Sequence, residues 1–206
     1  MLKLTGSGVA VGLAAALQFA PMLLGGAWGG LLADRLPKRR LLLATQTAMA
    51  IPALALFTLT VADALTLWML YALICARGMV TAVDNPARQA FLVELVGRDG
   101  LLNAVSLNSA LINSARVIGP AIAGVLITTV GVAPCFAVNA ASFAAMIAAL
   151  QAMDRRQLHS APSAERAPGQ LRGALRYVAA TPQLWIPLAL TAVVSTFTFN
   201  FQVLLP

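Results

Sequence analysis

The 206-residue chain is 60% hydrophobic and only 10% charged, with a formal net charge of +7 and an isoelectric point near 10.8. A soluble domain carries about a quarter charged residues, and one water-soluble core cannot hide this much apolar surface, so a soluble globular fold is excluded. The basic excess invites a nucleic-acid reading through phosphate neutralisation. The Lys and Arg residues lie mostly in short connections between apolar stretches, however, where membrane topology accounts for them, and no nucleic-acid partner is expected.

A helix rising 1.5 Å per residue needs about 20 apolar residues to cross a hydrocarbon layer about 30 Å thick. No charge occurs between Lys3 and Asp34, which gives a first span over about 9–33. The uncharged run from Leu41 to Ala62 gives a second, over 41–62. A third, over 65–85, is interrupted by Arg77, and a fourth, over 103–128, by Arg116. The uncharged stretch from Val117 to Met153 is too long for one crossing. Its punctuation Val130-Gly131-Val132-Ala133-Pro134 marks a turn, so a fifth span covers 133–153. These five form an amino-terminal transmembrane bundle over 1–153. Residues 154–182 read as a loop: a Pro- and Ser-rich linker that holds His159, the single histidine, then a short amphipathic helix with Leu171, Leu175 and Val178 on one face and Arg172 and Arg176 on another,. A sixth span covers 183–206. The fold class is an all-α membrane bundle of six helices.

Orientation follows from the retention of Lys and Arg in cytoplasmic connections. The connection after the first span holds Arg35, Lys38, Arg39 and Arg40, and the one after the third holds Arg88 and Arg98. The loop after the fifth holds Arg155, Arg156, Arg166, Arg172 and Arg176. These are expected inside. The connections 62–66 and 129–134 carry no Lys or Arg and are expected outside. Asp34 and Asp84 then lie toward the cytoplasmic surface, Asp63 toward the outer one, and Glu94 and Asp99 in a cytoplasmic loop; no acid sits at mid-membrane. Cys75 and Cys135 lie in apolar helices without CxxC spacing, which indicates neither a disulfide framework nor a metal site,.

Two kinds of periodicity stand out. Small residues four apart mark close helix contact in lipid: Gly25, Gly26, Gly29 and Gly30 form one such pair of patterns, and Ala115, Gly119 and Ala123 a second. At 100° per residue, Ser106, Ser109, Asn113 and Arg116 share a face of the fourth helix, and Arg77, Thr81 and Asp84 share a face of the third,. An intramembrane arginine is costly and turns toward water or a partner. Two polar stripes on neighbouring helices are the expected lining of a central cavity, with a purely structural hydrogen-bond network as the alternative and Asn200 of the last helix a further candidate. In that wall Arg116 would attract an anionic substrate or tune a neighbouring acid. No GxxxxGK[ST] occurs, which excludes ATP drive within the chain. No paired acid, Ser-His or Cys-His set argues for catalysis, and no cofactor or metal is implied.

The segment Gly30-Leu-Leu-Ala-Asp34-Arg35-Leu-Pro37-Lys38-Arg39-Arg40-Leu-Leu42 resembles the GxLaDRxGRRxxL signature between the second and third helices of the major facilitator superfamily, with Pro37 and Lys38 replacing Gly and Arg. Ala115-x-x-x-Gly119-Pro120-x-x-Ala123-Gly124 resembles the GxxxGPxxGG motif of its fifth helix, and Arg77 matches the arginine of a fourth-helix motif. Over Val80 to Gly124 and Phe199 to Pro206 the chain is similar to the branch holding enterobactin exporters and related bacterial multidrug exporters. The resemblance implies that the six spans correspond to helices two to seven of twelve, with the first glycine stripe facing the absent eleventh helix.

At the end of the first span the Asp34 carboxylate can cap a nearby helix N-terminus and balance the arginines around it, with a solvated turn aspartate as the alternative,. The resemblance implies that Gly30, Asp34, Arg35, Lys38 and Arg39 form a cytoplasmic gate. The expected activity is export of small amphipathic compounds, drugs or siderophores, by proton antiport and alternating access. The expected setting is the bacterial inner membrane, and the expected partners are lipid, substrate, protons and the missing helices. A half bundle is not expected to alternate access alone, so a truncated, non-transporting subunit or remnant is the alternative. An intramembrane enzyme ranks last.

Overall fold

The structure, a computed structural model, describes residues 8–97, 99–154, 158–159, 173, 176–177, 180–181, 185–187, 189–191 and 193–194. The chain divides into two compact units, Met1–Ala15 with Ala164–Pro206, and Ala16–Ser163. Five helices among the described residues are long and apolar enough to cross a membrane: α1 (Gly8–Arg35), α2 (Lys38–Val61), α3 (Leu67–Val96), α4 (Leu101–Thr129) and α5 (Ala133–Ala152). The bundle is all-helical, as the composition requires, because a bilayer offers no partner for unpaired backbone groups. In the first unit the described residues between 173 and 194, apart from Thr181, are helical. Most of the expected interfacial helix and sixth span, Asn200 included, lies outside the described residues.

The connections inside the second unit are short and chemically defined. Between α1 and α2 only Leu36 and Pro37 intervene, and Pro37 enters α2 without needing its missing donor,. The α2 end is a Schellman motif: the N–H of Asp63 donates to Thr60 O and that of Ala64 to Leu59 O, with Asp63 at φ 52°,. Aspartate is one of the few non-glycine residues that tolerate this left-handed position. Gly131, at φ 92°, makes the turn from α4 into α5, and Pro134 sits in the first turn of α5,.

Helix α2 is the most enclosed, packing along both α3 and α5. The core forms where the start of α2 meets the end of α3 and the end of α5. It consists of Ala33, Leu41, Leu42, Ala87, Phe91 and Leu150, with Leu43, Val83, Met146, Met153 and Leu158 packed around it. That cluster explains a difference from the sequence reading. The third span was expected to end near 85, but α3 continues through Pro86 to Val96. Ala87 and Phe91 anchor the extra turns in the apolar core, so Arg88 and Glu94 stand on a helix rather than in a connection.

Candidate functional site

Three basic residues open α2, which is electrostatically the wrong end, since a helix N-terminus carries the positive pole of its dipole. The structure resolves this by sending two of them elsewhere. The Nζ of Lys38 lies 3.5 Å from Oε1 of Glu94, with side chains 8% and 15% exposed. A compact ammonium suits a single carboxylate oxygen where a fork would ask for two. Arg39 reaches the C-terminal end of α5, its Nε donating to Leu150 O at 2.6 Å and an NH2 to Gln151 O at 2.9 Å. Those are carbonyls that the helix itself leaves unpaired, and the guanidinium meets a negative pole instead of a positive one. The first turn of α2 therefore ties the ends of α3 and α5 together over the apolar core. Arg40 is exposed.

One helix repeat deeper, Asp84 joins α3 to α2. Its side chain is 4% exposed. The hydroxyl of Thr45 donates to Oδ1 at 2.6 Å and the Gln46 amide donates to the same oxygen at 2.8 Å. Arg88, one turn along α3, donates to Oδ2 at 3.1 Å. The carboxylate is thereby held by one cation and two neutral donors, as a buried charge demands. Thr45, Gln46 and the Asp84–Arg88 pair were not singled out from sequence. The i,i+4 acid–base spacing of Asp84 and Arg88 was the available signal, whereas nothing in a linear reading pairs positions 45 and 46 with 84.

The glycine stripe of α1 divides between two directions. A Cβ on Gly29 would collide with the carbonyl of Ala82, and one on Gly25 would touch the Ala82 methyl at 3.7 Å. On the α3 side, a Cβ on Gly78 would stand 2.5 Å from Gln18 O. Gly25 and Gly29 thus serve packing against α3 within the bundle. Gly26 and Gly30 have nothing within 4 Å of a built Cβ. An apolar groove of about 340 Å³ runs beside the α1–α3 crossing, lined by Pro21, Trp28, Leu32 and Met79 among others.

The remaining candidates are placed but not brought together. Asp34 is exposed and makes no hydrogen bond or ion pair among the described residues. The expected cap is absent: α2 begins at Pro37 with no side-chain capping bond. Arg35 is exposed, and so is Arg77, whose carbonyl accepts from Thr81. Because Asp84 turns to α2, the Arg77–Thr81–Asp84 stripe does not form one cavity wall with α4. Ser109, Asn113 and Arg116 are exposed on α4, a helix without a buried residue. Ala115, Gly119, Pro120 and Gly124, expected in helix packing, are likewise exposed there, and Gly119 and Gly124 have open space about them. Cys75 and Cys135 are free.

Comparison with known proteins agrees with this architecture. A family model described as transmembrane secretion effector matches residues 1–206. The chain is 38% identical over 113 residues to the staphyloferrin A transporter of Staphylococcus aureus (strain NCTC 8325 / PS 47), covering 53% of this chain and 28% of that protein. It is 29% identical over 128 residues to YfiS of Bacillus subtilis (strain 168), described as an uncharacterized MFS-type transporter, covering 62% of this chain and 30% of that protein. The matched part therefore spans less than a third of the length of these curated relatives. No solved structure matches the chain.

Proposed function

Because the chain belongs to the transmembrane secretion effector family of the major facilitator superfamily, a family of transporters rather than enzymes, we propose that it forms part of a secondary exporter of small amphipathic compounds, driven by proton antiport through alternating access across a bacterial inner membrane. The similarity to a protein named for staphyloferrin A transport supports a cargo of that class, and the family's description as a secretion effector supports the outward direction. The remaining helices of the transporter complete the substrate cavity. Ser109, Asn113 and Arg116 of α4 contribute to its wall, with Arg77 and Asn200 as further contributors.

The observation that carries this reading is the division of labour within the basic motif. Lys38 and Arg39 are engaged inside the bundle, while Gly26, Gly30 and Asp34 lie open. Those three are spaced by four residues and share one face of α1. A smooth face ending in a carboxylate suits a surface that docks and releases: small residues allow close helix approach, and the acid meets the positive pole of an incoming helix N-terminus. The engaged half gives the rigid body, and the open half gives the gate on the cytoplasmic side.

The test uses inverted membrane vesicles containing this chain together with the remaining helices of its transporter, and a fluorescent amphipathic cargo. Cargo accumulation is expected to require the proton gradient and to vanish with a protonophore. Asp34→Asn is expected to preserve protein level and cut transport at least tenfold. Gradient-independent accumulation would refute the coupling, and full activity of the Asp34 variant would refute the gate.

A further inference from the structure

Helix α3 ends at Gly97 in a backbone shape that glycine alone adopts readily, φ 71° and ψ −178°,. The same glycine leaves room for a neighbour distant in sequence: a Cβ there would stand 3.2 Å from Cδ2 and Nε2 of the His159 ring. The main-chain N–H of His159 donates to the carbonyl of Glu94 at 2.7 Å. That carbonyl is among the last four of α3, which have no partner inside the helix. Next to it, Leu158 packs against the apolar core formed by Leu42, Ala87, Phe91, Leu150 and their neighbours. Two consecutive residues thus make an apolar contact, a main-chain hydrogen bond and a ring contact with the core and the end of α3. The residue whose carbonyl they hold, Glu94, is the one whose carboxylate pairs with Lys38.

We propose that Leu158 and His159 form a strap that fastens the segment following α5 onto the end of α3 and steadies Glu94 opposite Lys38. The side chain of His159 is exposed, as suits a linker residue, while its main chain caps α3. The chain leaves α5 at Ala152, and by His159 it has crossed to a different helix end. The strap stands on contacts within the second unit and does not depend on the transport reading.

The test is limited trypsin digestion of the whole chain in detergent micelles, following cleavage after Arg156, two residues before Leu158, with cleavage after Arg166 as the internal reference. A protease cuts where the chain opens locally on both sides of the bond, so fastening at 158–159 slows the first cut. Leu158→Ser removes the apolar contact, and His159→Pro removes the donor to Glu94. Each is expected to raise the rate after Arg156 at least tenfold while changing the rate after Arg166 less than twofold. Unchanged rates in both variants, or equal acceleration at both bonds, would overturn the strap. Should one variant fail to fold, the other decides.

Discussion

Replacing Asp84 measures how firmly α2 and α3 are joined. In Asp84→Ala the heaviest consequence falls on Gln46, which is 2% exposed and loses the acceptor of its amide. Leaving a buried donor unpaired costs about 1–3 kcal/mol. Thr45 suffers less, because its single hydroxyl proton can turn to Leu42 O, already 3.1 Å away; the loss is about 0.6 kcal/mol, the average for such a bond in a membrane bundle. The Arg88 contact is a helical i,i+4 pair with a half-exposed cation, worth about 0.3–0.5 kcal/mol. The expected destabilisation is about 2–4 kcal/mol, the largest share of it from the orphaned amide. Asp84→Asn keeps an oxygen for Thr45 and Gln46 and is expected to cost about 1 kcal/mol or less. In a Gln46→Leu background the penalty of Asp84→Ala should largely vanish, since removing both partners is nearly neutral. Unfolding free energies from SDS titration in mixed micelles, followed by circular dichroism, supply the comparison. Equal costs for the Ala and Asn variants, or independence from Gln46, would refute the interlock.

Three other perturbations address separate contacts. Gly29→Ala drives a methyl into the Ala82 carbonyl and is expected to cost about 1–3 kcal/mol, whereas Gly26→Ala meets open space and should be neutral or slightly stabilising through helix propensity; thermal midpoints of the purified chain separate the two. Glu94→Gln strands the buried Lys38 ammonium and is expected to cost about 3 kcal/mol, while the double variant Lys38→Met with Glu94→Leu recovers most of it, read by the same SDS titration. For topology, Arg40→Cys should react with an impermeant maleimide in inverted vesicles and Asp63→Cys in right-side-out ones, both positions being exposed; the reverse pattern would invert the assigned orientation.

The helices were legible because charge-free runs of bilayer length have one stable solution in lipid, and the turn at Gly131 was legible because its residues punctuate. The end of α3 was not. Hydropathy stops at Asp84, Arg88 and Glu94, yet each of these charges finds a partner and Ala87 and Phe91 reach the core, so the helix continues where an average would end it. Spacing identified the glycines of α1 but could not say that positions 25 and 29 meet α3 while 26 and 30 do not, because a period of four gives a face and not its neighbour. The same limit misdirected Asp84, whose partners lie 38 and 39 positions away on α2.

Helix α4 turns that limit into information, because its two sides are chemically distinct and neither is buried. At 100° per residue, Leu107, Leu111, Ile118, Ile122 and Val125 fall on one side and Ser106, Ser109, Asn113 and Arg116 on the other,. All five apolar residues are exposed, and hydrocarbon covers such a face without penalty. The opposite face cannot be covered in this way: Arg116 alone would cost about 2.5–3.5 kcal/mol at the bilayer centre, before the amide of Asn113 is counted. Lipid therefore selects the Leu111 side, and the Arg116 side turns to water or to protein. In the proposed exporter, hydrocarbon would cover the Leu111 flank, and the flank that carries Ser109, Asn113 and Arg116 would line the cavity,.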